Sequence, residues 1–169
     1  AMPEVLRERP DARLVIAGRR DEESYLKELR ELIRRLGISK SVEFAFDLSE
    51  EAKRRLLGQA RALVVTSPVE GFGIVILEAA VQGTPAVVSE GVPAEVVAHG
   101  QNGLRVAFGD TRALAAALSA VLRSNELHAT LAVNAVEHAR RFSRAALQSG
   151  LDNALRHAVS GRLLREALV

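Results

Sequence analysis

The sequence predicts an α/β fold: three layers, α/β/α, around a mostly parallel sheet. Three observations predict it. The continuous apolar runs Leu14–Gly18, Ala62–Thr66 and Ala86–Ser89 have the length and character of strands covered on both faces. Segments with helical apolar spacing separate them. At 169 residues, with 48% apolar and 26% charged side chains, the chain suits one globular domain with its own core.

Each element follows from local chemistry. Leu14–Gly18 is a short strand ending on glycine. From Asp21 to Leu36, Tyr25, Leu26, Leu29, Leu32, Ile33 and Leu36 fall on one helical face, and Gly37 is a natural stop. Val42–Phe46 opens with the alternation of a strand. Ser49 followed by Glu50 and Glu51 has the form of an N-cap with an acidic first turn, for a helix to about Gly58. After the Ala62–Thr66 strand, a helix is expected from about Gly73 to Gln82, broken by Gly83-Thr84-Pro85. Ala86–Ser89 is the next strand. Pro93–His99 reads as a short helix with proline in its first turn, and Gly103–Val106 as a short strand. Asp110 caps a helix to about Ser124, and helices over roughly 126–141 and 143–160 complete the chain. The whole is read as one domain, 1–169, with a helical appendage over about 142–169.

Composition excludes several classes. Cysteine is absent, so disulfide and thiol chemistry are excluded, which fits a reducing, cytoplasmic compartment. The four histidines lack metal-ligand spacing, and no metal or cofactor is expected. A net charge of +2 and 4% aromatics suit neither a polyanion-binding field nor base stacking, so no nucleic-acid partner is expected. No apolar run is long enough to span a membrane.

The chemistry concentrates in Ser67–Gly91. In a parallel sheet, ligands bind at the carboxyl ends of strands, where Ser67–Gly73 lies. Gly71 and Gly73 allow a sharp turn and close approach. A helix beginning there offers unpaired amides and a positive dipole end, an anion site suited to diphosphate. Glu70 precedes this helix and Glu78 lies about 7 Å along it. Carboxylates repel phosphate but accept hydrogen bonds from vicinal hydroxyls. Diphosphate at the helix end with an acid for each polyol describes a nucleoside diphosphate sugar. The alternative reading is a tight strand–helix connection with Glu78 paired to a nearby arginine. That reading leaves the apolar neighbours of Glu78 unexplained. Neither G-x-G-x-x-G nor a phosphate-loop motif occurs, and Ser67 and Ser89 lack a partner base.

Glu70-Gly-Phe-Gly, Glu78-Ala and Gly83-Thr-Pro-Ala-Val-Val resemble the E-x7-E signature of retaining GT-B glycosyltransferases of glycosyltransferase family 4 (group 1). Leu14–Gly18 and Val42–Phe46 resemble the second and third strands of that family's Rossmann-like donor domain. Glu95-Val-Val-Ala-His-Gly-Gln-Asn-Gly-Leu resembles another of its segments, and the match runs over roughly residues 4–142.

The resemblance implies that Glu70 and the amides of Gly71, Phe72 and Gly73 meet the donor sugar, those of Ile74 and Val75 the diphosphate, and Glu78 the ribose. Glu95 is either a site residue or structural, and Arg19 and Arg20 either assist phosphate or base or belong to a solvated loop. The donor would be a UDP-, GDP- or ADP-sugar, and metal is generally not required in the family. The family's acceptor domain, first donor-domain strand and Arg–Lys diphosphate clamp have no counterpart in this sequence. In the order 3-2-1-4-5-6 the first strand is central. Leu14–Gly18 and Ala62–Thr66 then either pair directly or leave a gap. Rearrangement, a second copy of the chain, or a segment supplied in trans would fill such a gap. The expectation is a donor-binding domain, inactive alone without an acceptor domain. The alternative is a non-catalytic interaction module derived from one.

Overall fold

The structure, a computed structural model, describes residues 1–20 and 23–166, with side chains to 157. The order is α1 (Met2–Glu8), β1 (Leu14–Gly18), α2 (Glu23–Arg35), β2 (Val42–Phe46), α3 (Glu50–Gln59), β3 (Leu63–Val65), α4 (Ile74–Val81), β4 (Ala86–Ser89), β5 (Gly103–Val106), α5 (Thr111–Arg123), α6 (Asn125–Ala139) and α7 (Arg144–Glu166), with 3-10 turns at Ser39–Ser41 and Arg140–Phe142. The proposed start of α2 at Asp21, and the last three residues of the appendage, lie outside the described residues.

Local signals explain most boundaries. Gly37, at φ 71°, ends α2 by donating to the Arg34 carbonyl while Ile38 donates to Ile33. The hydroxyl of Ser49 accepts from the Ala52 amide, the Asp110 carboxylate from Ala113 and the Ser124 hydroxyl from Leu127. Sequence reasoning misses α1, whose signal is Pro3 in its first turn with Glu4 beside it.

One expected element is absent. Pro93–His99 is not a helix. Val96 and Val97 donate to the Pro93 carbonyl, a single turn, and then the buried Asn102 side chain takes over. Its Oδ1 accepts from the Ala98 amide at 2.7 Å and its Nδ2 donates to the Val96 carbonyl at 2.9 Å. His99 then bridges in parallel to Gly103, which sets the chain on course for β5.

All ladders among the described residues are parallel. They form two sheets, β1–β2 and β3–β4–β5. Of the two arrangements the sequence allows for Leu14–Gly18 and Ala62–Thr66, direct pairing is therefore not adopted. β4 shows why the fold is layered. Val87 points to one core with Val5 of α1, Ala115, Leu118 and Val121 of α5, and Leu131 of α6. Ala86 and Val88, on the opposite face, pack with Ile76 of α4 and with Val92, Val96 and Val97. Two-residue periodicity thus places helices on both sides of the sheet. Among the described residues, no helix is long and apolar enough to cross a membrane.

Candidate functional site

The turn Ser67–Gly73 leaves the carboxyl end of β3 and is pinned from beneath by the end of β4 and the turn that follows it. The Glu70 amide donates to the Gly91 carbonyl at 2.9 Å, and the Ser89 hydroxyl donates to the Ser67 carbonyl. The approach is close enough to require glycine. A Cβ on Gly91 would lie 2.3 Å from the Pro68 carbonyl oxygen. Gly73 stands at φ 75°, ψ 49°, the left-handed region, as the N-cap of α4. It has no side chain to cap the helix, and its carbonyl accepts from Ile76 at 2.8 Å.

The first turn of α4 therefore carries amides with no side-chain cap, on a surface where Gly71, Phe72 and Ile74 are exposed. Gly73 itself is buried, and Glu70 and Val75 are half-buried. The Glu70 side chain packs by its Cγ where a Gly73 Cβ would stand, 3.5 Å away. Glu70–Val75 thus surround the amino end of α4, exposed at Gly71, Phe72 and Ile74 and buried at Gly73.

Glu78 lies one turn further along α4, on the side that packs against α3. Its side chain is 33% exposed and its Oε1 accepts from Lys53 Nζ at 2.8 Å. Lys53 is also 2.9 Å from Glu50 Oε2. Hydrogen bonding to Glu78, then to Glu50, holds the Lys53 ammonium's pKa above its ordinary value. These residues, with Arg54, Leu57, Val81 and Gln82, line a cleft of about 160 Å³. Glu70 does not line it, so the two acids serve different parts of the surface. Lys53 also accounts for a carboxylate in an otherwise apolar helix. Sequence reasoning did not single it out, because the contact joins residues on separate helices; spacing signals pairs within one helix only.

The chain matches the family model for glycosyl transferases group 1 over residues 1–138. The chain belongs to the group 1 glycosyl transferases. It is 41% identical over 107 residues to an uncharacterized glycosyltransferase of Methanocaldococcus jannaschii, covering 63% of this chain and 26% of that protein. It is 34% identical over 158 residues to a D-inositol 3-phosphate glycosyltransferase of Corynebacterium efficiens, covering 90% of this chain and 37% of the relative. Among solved structures it resembles Anabaena HepE in complex with UDP, with a TM-score of 0.78 and 29% identity over 92% of this chain and 44% of that one. The architecture is accordingly the Rossmann-like fold of GT-B enzymes, and the chain spans less than half the length of each of these relatives.

The remaining candidate residues of this glycosyl transferase chain sit apart from α4. Arg19 follows β1 and lines a second cleft of about 350 Å³ with Ile16, Ala17, Gly18, Tyr25, Leu26, Leu29 and Phe46, at the carboxyl ends of β1 and β2. Arg20 is exposed and paired with Glu23 at 3.2 Å, as a solvated loop residue would be. The Glu95 side chain is exposed. Its backbone carbonyl accepts from His138 Nε2 at 2.7 Å, so the contact observed for it is a main-chain one. The carboxy-terminal segment reaches the turn through aromatic rings: Phe142 meets Phe72 edge-on at 5.5 Å and also packs by His138.

Proposed function

We propose that this chain is the donor-binding part of a retaining glycosyltransferase that transfers a hexosyl group from a nucleoside diphosphate sugar. The observation that carries the reading is the amino end of α4. A left-handed glycine caps it without a side chain, at the carboxyl end of a parallel strand, with carboxylates before and after it. The amides of Ile74 and Val75 face the diphosphate and disperse the charge that grows there as the bond to the sugar breaks. Glu70 and the amides of Gly71, Phe72 and Gly73 take the sugar. Glu78 takes the ribose hydroxyls. The UDP bound by the Anabaena neighbour supports a nucleotide ligand for this fold. Transfer needs an acceptor domain that closes over the donor and excludes water, so the chain alone binds the donor and transfers little.

Titration with UDP-, GDP- and ADP-sugars tests this. The expected result is saturable binding of at least one, weakened by about 1–3 kcal/mol in both Glu70→Gln and Glu78→Gln. One observation favours a second reading. The Lys53–Glu78 ion pair gives that carboxylate a structural partner, as in a non-catalytic interaction module. Binding unaffected by either substitution, or no binding at all, selects that reading.

A further inference from the structure

We propose that Lys53 is a positioning residue for the nucleoside subsite, acting through Glu78; this rests on the donor-binding reading above. A half-buried glutamate on an apolar helix has several rotamers. Lys53 removes that freedom. Its ammonium holds Glu78 Oε1 at 2.8 Å, which fixes the carboxylate in place. The hydrogen bond engages Oε1, leaving Oε2 and the remaining lone pairs to accept from a diol.

The lysine is itself held. Glu50 anchors its ammonium from the preceding turn of α3. α3 is fixed at its other end to the connection that follows α4, where the buried Thr84 hydroxyl donates to the Leu57 carbonyl at 2.6 Å. Leu57 itself is buried, on the face of α3 that lines the cleft with α4. The spacing between Lys53 and Glu78 is thereby set by the packing of two helices. The charged groups lining this cleft are Glu50, Lys53 and Arg54 from α3 and Glu78 from α4.

The test compares whichever of UDP, GDP and ADP binds best with its 2′,3′-dideoxy form. The proteins are the unmodified chain, Lys53→Met, Lys53→Arg, Glu78→Gln and the Lys53→Met/Glu78→Gln double variant, each checked by thermal unfolding. Lys53→Met should weaken the ribonucleotide about five- to thirtyfold. It should leave the dideoxy ligand unchanged and add nothing to Glu78→Gln, while Lys53→Arg recovers much of the loss. Equal weakening of both ligands would show that Lys53 acts on the diphosphate or on the fold, and would overturn the proposal. So would wild-type binding by Lys53→Met when Glu78→Gln is impaired. If no nucleotide binds, or if Glu78→Gln is without effect, the donor-binding reading falls first and this inference with it.

Discussion

β4 and β1 are both short apolar runs, one followed by Gly91 in its turn and the other ending on Gly18, yet they live in different surroundings. Every residue of β4 is buried, because β3 and β5 flank it and helices cover both faces. None of β1 is buried to that degree, and Ala17 and Gly18 at its carboxyl end are exposed. β1 has one ladder partner where β4 has two. The apolar character of a run records what a strand can bury. The number of its neighbours decides what it does bury. Stability should therefore concentrate in the β3–β4–β5 half, which also carries the α4 turn.

Core truncations should show the largest contrast. Leu131→Ala, at a fully buried side chain packed with Val87, should cost about 2–5 kcal/mol in urea denaturation. Ile16→Ala on β1 should cost about 1 kcal/mol. Equal costs would mean that the β1–β2 half is packed as tightly as the other.

Glycine substitutions give a second, smaller contrast. Gly91→Ala forces a methyl onto the Pro68 carbonyl and should destabilise by about 1–3 kcal/mol, disturbing the Glu70 turn with it. Gly18→Ala meets open space within 4 Å and should stay within about 0.5 kcal/mol.

Acid should separate the halves by pH, with the smallest effects. Burial, then the nearby Arg61 charge, lowers the His128 pKa below 6.5, so the folded protein favours the neutral ring. The unfolded chain takes the proton first. Stability is full above 6.5 and falls as pH drops through that value toward the lower folded pKa. His128→Gln should flatten this limb of a melting-temperature profile. Asp11, held below 3.8 by its hydrogen bond to Arg9, supports the approach to β1 until the solution is far more acidic.

The same contrast marks what the sequence discloses. β1, β4 and α4 are legible because continuous apolar runs, the Gly73 start and the Gly83-Thr84-Pro85 break are local signals. The layered fold and the family resemblance follow from their order. Asn102 is not legible in this way: its amide satisfies two backbone groups in the preceding loop and overrides the helix suggested by Pro93–His99. Nor is the division into two sheets, since strand pairing depends on neighbours rather than on composition. Glu78 stands out as an acid in an apolar helix, but its partner Lys53 lies 25 residues away on another helix. Sequence spacing reports neighbours within an element, and the Lys53–Glu78 pair is built between elements.

The most direct measurement is calorimetric titration of UDP, GDP and ADP beside uridine, guanosine and adenosine. An anion-binding helix end beside a ribose acceptor predicts that one diphosphate binds at least about tenfold tighter than its own nucleoside. It also predicts that Glu78→Gln weakens that diphosphate. A diphosphate that binds no better than its nucleoside, or no binding by any of the six, would contradict the assignment of α4 as the phosphate-binding helix.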